Sequence, residues 1–264
     1  MLTINKIKIL TRGMFFKKSL LLSLSCSLLL APLTTEAAGG SNYTVNGALG
    51  TLSNAVNIGF ANAANQVLLG SAATSANNIN ISAGSSTNPY YLFGGLHATG
   101  SGSALANSNI IDMTGGHIEL DATDPLYSGS LFGGLTHNSG DGSATANSNI
   151  INISGNSTVD GSIYAGMSYS TTASATANNN TINFNDGNAS NIDSKVFAGY
   201  SNTQNALSTA SGNRLNIASG SIGSNIGIGA GFASTYDGQA VSSSNITSMS
   251  GGSLSGGGTS AALL

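Results

Sequence analysis

One stretch recurs along most of the chain, and this repetition constrains the fold more than any other feature. Residues Leu131–Gly155 read LFGGLTHNSGDGSATANSNIINISG. An apolar pair and a glycine pair come first, followed by a polar turn, an S-A-x-A-N segment and a closing N-I-I-N-I-S-G. Four further copies keep this order and begin at Leu92, Ile163, Val196 and Ile228.

Two markers define the period of the repeat. A glycine recurs with sequence steps of 39, 32, 33 and 32, and an asparagine recurs with sequence steps of 40, 31, 33 and 32. The glycines are Gly95, Gly134, Gly166, Gly199 and Gly231, and the asparagines are Asn109, Asn149, Asn180, Asn213 and Asn245. A period near 32 with strand-like content is typical of a solenoid, in which each unit buries its face only against its neighbours.

Residues 1–37 have a different composition from the rest of the chain. They contain five of the seven basic residues, then the apolar run Ser19–Leu30, which is short for a membrane span, and then Pro32. This order predicts a secretory signal peptide cleaved after Ala37, starting at Met1 or at Met14. The alternative, an uncleaved membrane anchor, is disfavoured by the shortness of the run.

Removal of this leader leaves a chain with almost no positive charge. Two basic residues, Lys195 and Arg214, and nine acidic residues remain, a net charge of −7. Such a chain cannot neutralise phosphates, so nucleic acid is excluded as a partner and docking on anionic lipid is disfavoured. The only cysteine, Cys26, lies in the leader, and we expect an exported protein without disulfides.

The pattern predicts an all-β solenoid in residues 66–252. Each repeat contains two strands, of the L-F-G-G and N-I-I-N-I types, and the S-A-x-A-N segment is a candidate third strand. We expect the recurrent asparagines to form amide ladders between coils, and the recurrent glycines to serve a bend or a positive φ. Residues 38–65 are interpreted as an N-terminal cap and residues 253–264 as a tail.

Few residues of the sequence are candidates for metal binding or catalysis. The longest insertion, Glu119–Gly129, carries Glu119, Asp121 and Asp124, but their spacing fits no calcium motif and favours a solvated loop. His97 and His137 follow the glycine pair in neighbouring repeats, offset by one residue, so we expect them near each other on one edge. Two histidines, even with His117 elsewhere, are a weak metal signal, and we expect no metal and no cofactor.

An enzyme is the less favoured interpretation. Lys195 lies two residues after Asp193, and Arg214 stands alone. Solenoid enzymes that cleave polysaccharides need charged groups concentrated on one face. This chain has little charge to concentrate, so we expect no catalytic residues.

The repeat resembles a known family. The F-G-G or Y-A-G openings, the S-A-T-A-N-x-N middle and the N-I-S-G closing are similar to the passenger repeats of bacterial autotransporter adhesins, over about Gln66–Gly252. The resemblance implies a right-handed parallel β-helix, export across the inner membrane, and adhesion or aggregation at the cell surface. The family also carries a C-terminal translocator barrel, and no barrel-like strands precede Ala261–Leu264. We therefore expect a truncated passenger, or a translocator encoded elsewhere.

Together these observations predict a non-enzymatic, exported passenger of a Gram-negative bacterium. It would reach the medium, the cell surface or the outer membrane through the periplasm, and would bind a host surface, a glycan or itself. Two alternatives stay open. Clustering of Glu119, Asp121, Asp124 and Asp193 in one groove would favour a polysaccharide-active β-helix enzyme. A non-functional fragment would instead associate through its open last coil.

Overall fold

The computed structural model describes residues 42–46, 66–68, 75–83, 85–86, 91–118, 129–189, 195–223 and 227–255. The expected signal peptide, most of the expected cap, the acidic insertion 119–128 and Asp193 lie outside these residues. So do residues 256–264 of the expected tail. No helix in the described ranges is long and apolar enough to cross a membrane.

The described chain forms about five full turns of a β-solenoid with a period near 32, preceded by an incomplete turn. Strand β1 (Asn42–Asn46) comes first. The incomplete turn contains β2 (Gln66–Leu68), β3 (Asn78–Ala83) and β4 (Ser85–Ser86). The next turn contains β5 (Tyr91–Thr99), β6 (Ala104–Leu105), β7 (Ile110–Met113) and β8 (His117–Ile118). It is followed by β9 (Ser130–Asn138), β10 (Ala144–Thr145), β11 (Ile150–Ser154) and β12 (Thr158–Val159).

The last three turns repeat the same order. They contain β13 (Ile163–Ser170), β14 (Ala175–Thr176), β15 (Thr181–Asn185) and β16 (Gly187–Ala189). Then come β17 (Lys195–Thr203), β18 (Ser208–Ser211), β19 (Arg214–Ile217) and β20 (Gly220–Gly223). The final turn has β21 (Gly227–Thr235), β22 (Ala240–Ser243), β23 (Ile246–Met249) and β24 (Ser253–Ser255).

Equivalent strands of successive turns pair in parallel and build four sheets. Sheet I has the order β2-β5-β9-β13-β17-β21 and sheet II the order β6-β10-β14-β18-β22. Sheet III has the order β1-β3-β7-β11-β15-β19-β23 and sheet IV the order β4-β8-β12-β16-β20-β24. The sequence predicted strands for sheets I and III and a candidate strand for sheet II. The strand of sheet IV was not predicted. In each turn its sequence contains at most a single apolar residue, such as Val159, and shows no alternation of apolar and polar residues.

The core lies between the sheets and is built of columns of like residues. In sheet III, Ile111, Ile151, Ile182 and Leu215 stack in register and are fully buried. The single apolar residues of sheet IV, Ile118, Val159 and Ile222, point into the same core. Sheet II contributes alanines, such as Ala144 and Ala175, which leave room where the coil is narrow. Period-two alternation therefore places one residue in two against the core.

The glycine and asparagine markers form one structural unit inside the solenoid. Asn180 is fully buried, its Nδ2 donates to the Oδ1 of Asn213, and its Oδ1 accepts from the Nδ2 of Asn149, both at 3.1 Å. A Cβ atom on Gly166 would lie 2.4 Å from the Asn180 Nδ2 and 2.4 Å from the Ala146 carbonyl oxygen. The expected amide ladder is confirmed.

The recurrent glycine, however, serves a close approach and has no positive φ. Positive φ occurs elsewhere in the turn, at the residue before the ladder asparagine, as in Ser148 (57°) and Asn179 (56°). A side chain on Gly166 would collide with the ladder, so the asparagine and the glycine depend on each other.

Candidate interaction surface

The L-F-G-G strands place a second hydrophobic cluster outside the main core. Leu131 belongs to the main core, whereas Phe132 belongs to a separate cluster with Phe93, Tyr164 and Phe197. Adjacent strand residues point to opposite faces, so this second cluster lies on the outer face of sheet I. Its rings stack, with centroids 5.1 Å apart for Phe93–Phe132 and 5.4 Å apart for Phe132–Tyr164.

A second column on this outer face becomes more exposed toward the C-terminal turns. It runs in register through Leu96, Leu135, Met167, Tyr200 and Phe232. Leu135 is 1% exposed, whereas Met167, Tyr200 and Phe232 are only partly buried. The Tyr200 and Phe232 rings stack at 5.2 Å, and the Lys195 ammonium lies 5.9 Å from the Tyr200 ring centroid. A cation at this distance over an aromatic face is attracted by the ring quadrupole.

The two columns share a face because the strand is irregular between them. Phe132 and Leu135 are three residues apart, a spacing that would put them on opposite faces of a regular strand. In the pairing of β9 with β13, Phe132 pairs with Tyr164 and Gly134 with Gly166, but Gly133 has no paired residue. This interruption of the ladder reverses the alternation and brings both columns outward.

A third, more polar column borders the other two. It runs through Ala98, His137, Tyr169, Asn202 and Ser234. The His137 ring stacks on Tyr169 with centroids 5.0 Å apart, and burial lowers the pKa of His137 below its usual 6.5 because the charged form is desolvated. The Asn202 Nδ2 donates to the Ser234 Oγ at 2.9 Å. We call the three columns together the aromatic face.

The two histidines considered from the sequence do not form a pair on one edge. His97 is in register with Thr136, and His137 is in register with Ala98. This offset of one residue puts the two rings on opposite faces of sheet I. The His97 Nδ1 accepts a hydrogen bond from the Leu105 N–H at 3.0 Å, which gives this histidine a structural role at the corner.

The other candidate residues are separated from each other. The His117 Nε2 lies 2.8 Å from the Asp160 Oδ2 on sheet IV, and Arg214 is exposed on sheet III. Within the described residues, no group of three His, Cys, Asp or Glu side chains could hold a metal ion. Glu119, Asp121, Asp124 and Asp193, on which the enzyme alternative depends, lie outside the described ranges.

The aromatic face is suited to contact with another molecule. It combines ring edges, the Met167 thioether, one ammonium group and neutral amide and hydroxyl groups. Aromatic side chains supply large contact areas, and neighbouring polar groups orient a partner by hydrogen bonds. A search of protein-family models, of curated proteins and of solved structures found no match to this chain.

Proposed function

We propose that this protein is an exported, non-enzymatic passenger of the autotransporter type that binds a partner through the aromatic face. The leader-like residues 1–37 and the resemblance of the repeats support export and passenger character. The β-solenoid is compatible with that family. The observation that most directly supports binding is the aromatic face, where Met167, Tyr200 and Phe232 stay partly exposed on a chain with little charge.

This surface supports binding because partly exposed aromatic groups in register make a continuous apolar strip. Isolated exposed apolar residues are ordinary on any protein, whereas contiguous ones mark interaction sites. The polar column of His137, Tyr169, Asn202 and Ser234 runs along this strip and provides hydrogen-bonding groups. The proposed partner is a host surface component, either a matrix protein or a glycan.

Binding can be tested with arrays of glycans and matrix proteins. The exported wild-type chain should bind at least one class. Tyr200→Ser, which removes one ring of the strip, should lose most of that binding. Arg214→Ala is the matched control, because Arg214 is exposed on sheet III. Equal binding by wild type and Tyr200→Ser, or no binding by the wild type, would refute the role of this face.

Export is tested separately by fractionation. The full chain with a C-terminal tag is expressed in a Gram-negative cell, and the periplasm, outer membrane and medium are probed. We expect the chain at the cell surface or in the medium. Retention in the cytoplasm would contradict export. Accumulation in the periplasm alone would contradict surface display by the route proposed.

A further inference from the structure

The last turn leaves core positions open that the preceding turn buries. Met249 is in register with Ile217, yet 47% of Met249 is exposed and only 1% of Ile217. Leu254 is in register with Ile222, and their exposures are 36% and 0%. Within the described chain, the core therefore ends on an apolar surface at this end of the solenoid. We call the exposed edge of β21–β24 the C-terminal face.

The buried amide ladder also ends at this face, and it has a direction. In each turn the backbone N–H and the Nδ2 donate to the Oδ1 of the asparagine in the following turn, as in Asn213 to Asn245 at 2.9 and 3.0 Å. Asn245 is the last of the series. Among the described residues its N–H has no acceptor, although its Nδ2 reaches the Ala210 carbonyl and the Ser242 Oγ. An open pocket of about 390 Å³, lined by Phe232, Asn245 and their neighbours, lies at this point.

Neither end of the solenoid carries the charges that usually protect sheet edges. Natural sheets block edge pairing with lysines, other charged side chains and prolines. The sequence contains no charged residue from Ala38 to Ile111 and none from Gly238 to Leu264. At the C-terminal face the four sheets end in β21, β22, β23 and β24, and at the other end sheets I, III and IV begin with β2, β1 and β4.

We propose that the C-terminal face docks the N-terminal end of a second copy of this chain. The joint forms first in sheet III, where β1 lies one turn outside β3 and is placed to pair with β23 of the other copy. Head-to-tail docking keeps the strands parallel, as they are between the turns of one copy. Docking of two C-terminal faces would instead run the strands antiparallel, unlike the strand pairs between the described turns. Because head-to-tail contacts do not close, the product is an open chain of copies.

Disulfide trapping tests the register of this joint. Register places Thr44, Asn80, Asp112 and Ser248 in one column of sheet III. Strands stacked about 4.8 Å apart bring such positions within disulfide range. The double variant Thr44→Cys with Ser248→Cys, made in the exported chain on a Cys26→Ser background, should form covalent multimers on oxidation. Each single variant should form no covalent multimers.

Two outcomes of this trapping would overturn the proposal. Efficient dimers of the Ser248→Cys single variant would indicate docking of two C-terminal faces. Monomers of the double variant, at concentrations where the wild type self-associates, would place the contact elsewhere on the molecule.

Sedimentation gives an independent measurement. The weight-average mass of the wild type should rise with concentration. The double variant Met249→Lys with Leu254→Lys should raise the dissociation constant at least about tenfold, because both side chains face the core, as the buried Ile217 and Ile222 of the preceding turn do, and two ammonium groups would have to be desolvated in the joint. Both positions are exposed, so the midpoint temperature of thermal unfolding should equal that of the wild type. Thr172→Lys, exposed at a corner in the middle of the solenoid, is the control and should associate as the wild type does. A monomeric wild type would refute the joint.

Discussion

Replacement of one ladder asparagine should test how much the buried amide column contributes to stability. Asn180→Ala removes the hydrogen bonds of a side chain that is fully buried. Its Nδ2 donates to the Ala146 carbonyl oxygen at 2.9 Å, and its Oδ1 accepts from the Asn149 N–H at 2.9 Å. In the variant, both of these buried backbone groups lose their side-chain partner, while the Asn149 Nδ2 keeps the Ala106 carbonyl.

The expected cost follows from these two orphaned groups. A buried polar group that loses its partner costs about 1–3 kcal/mol, so Asn180→Ala should lower the free energy of unfolding by about 2–6 kcal/mol. Such a loss is a large part of the roughly 5–15 kcal/mol that is typical of folded proteins. Urea unfolding followed by circular dichroism would measure it.

Asn183 offers a matched control three residues away. Its Nδ2 donates to the Asn152 Oδ1 at 2.7 Å and its Oδ1 accepts from the Asn216 Nδ2 at 2.8 Å, but this second ladder is on the outer face of sheet III and is only partly buried. Water can replace these bonds, so Asn183→Ala should cost about 1 kcal/mol or less. Equal losses for the two variants would refute the argument, because only Asn180→Ala leaves buried backbone groups without their side-chain partner.

Three further predictions concern the same turns. Gly166→Ala should lower the free energy of unfolding, because the new Cβ would collide with the Ala146 carbonyl oxygen and with the Asn180 side chain. The loss should be smaller in an Asn180→Ala background, where the second collision is absent, and a double-mutant cycle would measure this coupling energy. Ser148→Gly should stabilise by about 0.5–1 kcal/mol, because Ser148 has a φ of 57° that glycine adopts without the steric cost. Thermal unfolding would show a gain, and a loss would contradict the reasoning. His137 should make stability fall as the pH drops below 6.5, since its lowered pKa favours the neutral form in the folded state; His137→Gln should flatten that pH dependence.

The sequence predicted the fold because repetition replaces most of the information that other folds need. Two markers with a common step were sufficient to predict stacked coils of one repeat each. What they did not reveal is that Gly166 and Asn180 touch, since the two lie on different strands and only the coiled path brings them together. The strand Thr158–Val159 was not predicted for a different reason: a strand of two residues is too short to show a periodic pattern.

The aromatic face was missed because it depends on an irregularity that periodicity cannot show. Phe132 and Leu135 share a face only because the ladder is interrupted at Gly133. A signal was nevertheless present: an apolar or aromatic residue follows the glycine marker in every repeat, as Leu135, Met167, Tyr200 and Phe232 do. A core already filled by Leu131 and its equivalents leaves no place for this additional apolar residue, so its recurrence indicates a second cluster.

The corners of the coil explain why a buried column is made of asparagine when apolar residues would avoid desolvation. The chain must reverse sharply between sheets II and III, and it does so through a residue with positive φ, such as Ser148 or Asn179. The residue after this corner, Asn149, donates its backbone N–H to the Asn180 side chain of the next turn, where a regular ladder would offer a backbone carbonyl. An isoleucine in place of Asn180 would leave this buried N–H without its partner. The asparagine column is therefore a consequence of the tight corner. Each turn depends on the asparagine of the next turn to accept the hydrogen bond from the buried N–H at its corner.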